Sequence, residues 1–263
     1  MAEILLREND GATAVLTLNR PDQLNTLSEE LMTALQAAFD RIATEPATKV
    51  VILRGAGRAF CAGHDLRQMQ GRRQAPDGGR AYYIALFAQC SALMSTIPRL
   101  PQPVIAEVRG LATAAGCQLV ATCDMAVAAS SARFGVNGVD IGLFCSTPMV
   151  ALSRNIGRKR AFEMLTTGDF LSAEQALDLG LINRAVPEAD LAAETRALAA
   201  RVASKLGSAV RIGKRTFYQQ LEMTLEDAYA HTGRVIAENM LHPDTAEGVR
   251  AFLEKRPPDW PEE

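Results

Sequence analysis

Short apolar runs alternate with longer stretches of helical period through the first two-thirds of the chain, and only the helical period persists after Pro187. Residues 14–18, 50–53, 104–108 and 125–128 are almost wholly apolar over four or five positions, as strands covered on both faces are. Ser28 precedes a segment that places Leu31, Leu35, Ala38 and Ile42 on one face, which predicts a helix with its N-cap. Helices are also predicted over about 81–96 and 115–122. Ser172 and Gln175 form a capping box for a helix that stops before Gly180, and a strand is predicted over 181–186. Four helices follow, over about 188–205, 209–221, 225–240 and 245–255. The polar, glycine-rich stretch 70–79 is predicted to be a mobile loop. The pattern gives an α/β core of repeated strand–strand–helix turns over residues 1–186, then a helical region over 187–263. Leu191, Leu198 and Val202 give that region apolar faces that one core does not obviously cover, so a self-associating chain is expected.

Composition narrows the classes. A chain of 263 residues with 48% hydrophobic content buries a sizeable core. A net charge of −2 gives no general attraction to nucleic acid or to an anionic membrane. No apolar run approaches the ~20 residues that span a bilayer, and the acidic residues among the first eight predict entry into a strand rather than a targeting segment. Five scattered cysteines, Cys61, Cys90, Cys117, Cys123 and Cys145, read as reduced thiols and predict a cytoplasmic location. His231 and His242 lack metal-ligand spacing, so no metal is expected. The basic run from Arg158 to Arg160 reads as a solvated helix face. Gly55-Ala56-Gly57 follows a strand, but Phe60 stands where a dinucleotide fingerprint needs its third glycine.

Candidate chemistry lies in two segments that each follow a predicted strand: Phe60-Cys-Ala-Gly-His-Asp-Leu66 and Gly110-Leu-Ala-Thr-Ala-Ala-Gly-Cys-Gln118. Their small residues let backbone approach a ligand closely. Two such turns supply two backbone N–H groups for one carbonyl oxygen, the means by which a thioester oxyanion is stabilised. Such donors need no particular side chain, so His64 and Ala115 are both acceptable there.

Together with Leu18-Asn-Arg-Pro21, Leu24-Asn25, Gly116-Cys-Gln-Leu-Val-Ala-Thr-Cys-Asp124, Phe134, Gly142 and the stretch from Leu165, these segments resemble the crotonase superfamily, the enoyl-CoA hydratases and isomerases. The resemblance covers nearly the whole chain. The run from Val136 to Pro148 is further similar to the subgroup of enoyl-CoA hydratase domain-containing protein 3. The resemblance implies a spiral of ββα turns, a C-terminal helical trimerisation region, a homotrimer or dimer of trimers, and a CoA thioester as ligand with no other cofactor. It assigns the oxyanion donors to the amides of His64 and Ala115. It places CoA against Arg20, Leu24, Ala62, Gly63, Asp65, Leu66 and Arg67, with Lys255 and Arg256 reaching a neighbouring subunit.

The departures are equally specific. Hydratases of this family use two glutamates, and the matching positions here hold Gln118 and Gly138. Neither transfers a proton at neutral pH. Asp140 is the nearest acid, expected by strand alternation on the same face as Gly138. Cys145 and Ser146 are candidate nucleophiles, although a buried thiol is inert unless its pKa is lowered. The His64 imidazole is expected to point to solvent, and Asp65 and Asp124 to brace turns. Three functions fit: enolate stabilisation for another reaction such as decarboxylation, weak hydration through water held by Gln118, or non-catalytic binding of an acyl-CoA. Restoring both glutamates is expected to restore hydration.

Overall fold

The computed structural model describes residues 3–260. Strands β1 (Leu5–Asp10) and β2 (Thr13–Leu18) form an antiparallel hairpin that opens the chain. Strands β3 (Val50–Gly55), β4 (Ala59–Cys61), β5 (Val104–Val108), β6 (Leu111–Thr113), β7 (Met125–Ala129) and β8 (Arg133–Gly135) then follow in pairs. The first member of each pair joins one sheet and the second joins another. With β9 (Leu171–Ser172) and β10 (Arg184–Val186), the six-stranded sheet runs β1-β2-β3-β5-β7-β10 and the four-stranded sheet runs β4-β6-β8-β9. Each turn of the spiral thus advances both sheets by one parallel strand.

Helices close the turns: α1 (Glu29–Ala43), α2 (Leu66–Arg72), α3 (Arg80–Arg99), α4 (Ala115–Thr122), α5 (Pro148–Asn155), α6 (Arg158–Thr167) and α7 (Ala173–Asp178). The Leu31 amide donates to Ser28 Oγ at 3.2 Å, so α1 starts at the expected cap, and α7 starts in the expected capping box. Two local expectations change. Helix α2 runs into the segment read as a loop, because Asp65 caps it by accepting from the amides of Arg67 and Gln68. The strand expected over 181–186 shortens to β10, since the amides of Leu181 and Ile182 are spent on the Ala176 carbonyl that closes α7.

The large sheet is buried on both faces. Leu16, Leu18, Val51 and Leu53 pack toward α1, α3 and α4, while Val15, Val50, Ile52, Ile105 and Val127 face the opposite side. There they meet Leu191, Leu198 and Ala199 of α8 (Leu191–Ala203), with Val202 beside them. This corrects the expectation that these residues await another subunit: they cover the outer face of their own sheet.

Helix α9 (Gly207–Gln220) is fastened by a buried polar cluster. Lys214 Nζ donates to the carbonyls of Ile97 and Gln102 and to Asp124, at 2.7–2.9 Å. Asp124 also accepts from the Val104 amide and the Tyr218 hydroxyl. Burial pulls the Lys214 pKa below its ordinary value, and Asp124 opposes that pull. Asp124 is therefore a brace, as expected. Helices α10 (Leu225–Met240) and α11 (Pro243–Leu253) leave Leu225, Tyr229, Ile236, Leu241, Phe252 and Leu253 exposed. No helix among the described residues is long and apolar enough to cross a membrane.

Candidate active site

Strands β4 and β6 are parallel neighbours, and each ends in one of the two small-residue turns. The turns touch at Gly63, whose φ is +91°. A Cβ there would lie 2.9 Å from Ala114 Cβ and 3.5 Å from the Ala115 nitrogen. Helix α4 is seated as closely, since a Cβ on Gly116 would stand 2.0 Å from the Cys61 carbonyl oxygen. Ala114, the N-cap, is held at φ +50° and ψ −120°, a region costing an L-residue on the order of 1–3 kcal/mol. That strain sets the direction of the Ala115 amide, which as the first of α4 has no acceptor within the helix. Among the described residues no backbone carbonyl accepts from the His64 amide either.

The first turn is anchored from behind. Buried Asn25, also at positive φ, donates through Nδ2 to the carbonyls of Ala56 and Ala59 and accepts from the Arg20 amide. The Ala62 amide donates to Leu24 O, and the Leu27 amide to Gly63 O. Arg20 reaches Asp65 at 3.8 Å, with Leu66 and Arg67 exposed just beyond. The chain segments carrying Arg20, Leu24, Ala62, Gly63, Asp65, Leu66 and Arg67 thus form one edge of the site. Lys255 and Arg256 do not join it. They follow α11, which packs on α10, and Arg256 is engaged by Glu247 and Glu254.

The His64 imidazole does not point to solvent as expected. It packs edge-on against Phe87 of α3, ring centroids 5.5 Å apart, with Nδ1 3.4 Å from the Leu27 carbonyl. Burial lowers its pKa and favours the neutral ring. Its Nε2 is buried without a partner. Nothing in the sequence marks Phe87 for this contact, because an aromatic in a helical run reads only as core.

Where a hydratase would carry its acids, Gln118 is 5% exposed and its Oε1 is buried without a hydrogen bond. The space beside Gly138 is already filled: a Cβ there would stand 2.2 Å from the Leu143 carbonyl oxygen and 2.9 Å from Cys145 Sγ. Burial raises the Cys145 pKa, so the thiol stays protonated at neutral pH. Ser146 is exposed, its hydroxyl 3.4 Å from the Phe144 carbonyl. Asp140 is misplaced by the strand expectation. Residues 137–141 form a 3₁₀ turn, so alternation does not apply, and the exposed Asp140 carboxylate lies against Gly168 and Asn137. A tie invisible in the sequence crosses below it, where Thr113 Oγ1 donates to Asn137 Oδ1 at 2.7 Å.

Residues 8–263 match the enoyl-CoA hydratase/isomerase family. The chain belongs to that family. It is 43% identical over 256 residues to the mitochondrial enoyl-CoA hydratase domain-containing protein 3 of Xenopus laevis, covering 97% of this chain and 85% of that protein. Among solved structures, an enoyl-CoA hydratase from Mycobacterium smegmatis superposes with a TM-score of 0.95 at 52% identity, over 98% of this chain and 99% of that one. Human enoyl-CoA hydratase domain-containing protein 3 gives 0.93 at 43%, over 98% of this chain and all of that one. The fold is thus the crotonase fold that the motifs implied. The same relatives overturn the cytoplasmic expectation, because the domain-containing protein 3 relatives are named as mitochondrial. Reduced thiols mark a reducing compartment and do not separate one such compartment from another.

Proposed function

We propose that this enoyl-CoA hydratase/isomerase family member binds an acyl-CoA with its thioester carbonyl oxygen between the amides of His64 and Ala115, and stabilises the enolate without hydrating the substrate. The observation that carries the reading is the contact of the two donor turns at Gly63, which leaves both N–H groups beside each other at the head of α4. The α4 dipole adds positive potential at the same point. A developing oxyanion there is stabilised by donors that need no rearrangement, each worth about 10²–10³ in rate in comparable sites.

Hydration needs a water and a proton relay as well. Gln118 is an amide, and the Leu143 carbonyl and Cys145 sulfur occupy the space beside Gly138. Among the described residues the two nearest candidates do not take their place: Asp140 is turned onto Gly168, and burial favours the neutral His64 ring. These facts favour a reaction whose main demand is enolate stabilisation, or binding alone, over addition of water. Following the domain-containing protein 3 relatives, which are named as mitochondrial, the location is mitochondrial. The exposed apolar faces of α10 and α11 support assembly as a trimer or a dimer of trimers, with Lys255 brought to a neighbour's CoA.

Isotope-edited infrared spectroscopy of a bound acyl-CoA labelled at its carbonyl carbon tests the core of this reading without requiring turnover. The carbonyl stretch is expected to fall on binding and to move part of the way back toward its solution value in Ala115→Pro, which removes one of the two donors at the first position of α4. An unshifted stretch in the bound wild-type complex would refute it.

A further inference from the structure

The site contains two buried acceptors with nothing to accept from. Gln118 sits one turn beyond Ala115 on α4, so both lie on one helix face. Its side chain is almost wholly buried, and Oε1 has no donor. On the other donor turn, His64 presents Nδ1 to the Leu27 carbonyl, which puts the proton on Nδ1 and leaves Nε2 a bare acceptor, also buried and unpaired. A buried polar atom left unmatched is costly, so its partner is to be sought in the ligand. Among the described residues no cationic side chain makes a hydrogen bond or ion pair with either of them, and Arg20 of the first turn is engaged with Asp65 and Gln23.

We infer that Gln118 is a specificity-determining residue that selects a neutral acyl group bearing a hydroxyl close to the thioester, over a plain hydrocarbon chain and over a carboxylated one. This rests on the proposed thioester site. A hydroxyl can donate to Gln118 Oε1 or accept from Gln118 Nε2, so it satisfies the amide in either orientation. A hydrocarbon leaves Oε1 as it stands, unpaired. A carboxylate can accept from Gln118 Nε2 but brings no proton to Oε1, so it leaves that buried acceptor unpaired and sets a negative charge beside it. Decarboxylation of a carboxylated thioester, one of the reactions compatible with the missing acids, is therefore disfavoured by the same residues.

The test is calorimetric binding of butyryl-CoA, each enantiomer of 3-hydroxybutyryl-CoA, and malonyl-CoA to the full chain and to Gln118→Met. In wild type one hydroxylated enantiomer is expected to bind on the order of tenfold tighter than butyryl-CoA, with malonyl-CoA weakest. Gln118→Met is expected to bring the hydroxyl preference down toward unity. Equal affinity for butyryl- and both 3-hydroxybutyryl-CoAs in wild type overturns the inference whether or not the variant folds, as does a preference that survives in a folded Gln118→Met. These outcomes leave the thioester site standing. Failure of every thioester to bind, butyryl-CoA included, removes the site and this inference together.

Discussion

Substituting Gly63 by alanine perturbs the site through one methyl group. The new Cβ is placed 2.9 Å from Ala114 Cβ, well inside the ~4 Å of an ordinary carbon contact. The backbone there is at φ +91°, where an L side chain adds its own strain. Left-handed backbone costs about 1–2 kcal/mol for a non-glycine residue, and overpacking about 1–3 kcal/mol. The sum is about 2–5 kcal/mol, which lowers the melting temperature by roughly 5–15 °C in a chain of this size. Relief comes only by parting the two donor turns, and a displacement of about 1 Å at such a site costs on the order of 10² in any reaction it supports. Melting by circular dichroism and the bound-carbonyl infrared shift are measured together. Gly213→Ala is the control, since its methyl meets no atom within 4 Å inside α9 and gains helix propensity. A Gly63→Ala protein with unchanged melting and an unchanged carbonyl shift would show that the turns do not meet as described.

Wild-type hydration of crotonyl-CoA is expected to be very slow, and Gln118→Glu with Gly138→Glu to fail to restore it. This reverses the expectation from sequence, because the new Cβ at 138 collides with the Leu143 backbone; brisk hydration by the double variant, followed by loss of enoyl-thioester absorbance, would contradict the collision. Lys214→Met should lower stability by about 3–5 kcal/mol in urea, because it leaves Asp124 buried without its cation; a change within 0.5 kcal/mol, the ~0.5 kcal/mol typical of surface sites, would contradict that role. For His64 the folded pKa lies below the ordinary 6.5, so between the two values the unfolded chain binds more protons and stability rises with pH. Acidifying from pH 6.5 is therefore expected to lower the melting temperature, and His64→Phe to remove part of that slope; an identical slope in the variant would place the loss elsewhere.

The sequence pattern was a good guide wherever one period ruled one stretch. The elements at 104–108, 115–122 and 225–240 are legible in the sequence because a buried strand, a capless small-residue helix start and an amphipathic helix each leave their own spacing. It failed where contacts are made across the spiral. Leu191 and Leu198 have an apolar face in any arrangement, and nothing local says that the reverse of their own sheet receives it. The His64 ring is turned by Phe87 and Leu27, 23 and 37 positions away along the chain. Gly138 reads as a missing side chain, whereas the fold makes it a filled position through a carbonyl five residues on. A strand's period misplaces Asp140, because residues 137–141 form a 3₁₀ turn.

The parallel pairing of β4 with β6 also acts as a ruler. Adjacent strands stand about 4.8 Å apart; if the proposed donor amides just past their ends keep that spacing, two hydrogen bonds of about 2.9 Å drawn inward meet at roughly 110°. That is close to the angle between the lone pairs of a single carbonyl oxygen. The gauge is written in the hydrogen-bond ladder and not in the side chains of His64 or Ala115. In the proposed site the residues around the opening can then be exchanged to suit a new acyl group while the width stays that of one oxygen atom, so long as Gly63 and Gly116 keep the two strand ends pressed together.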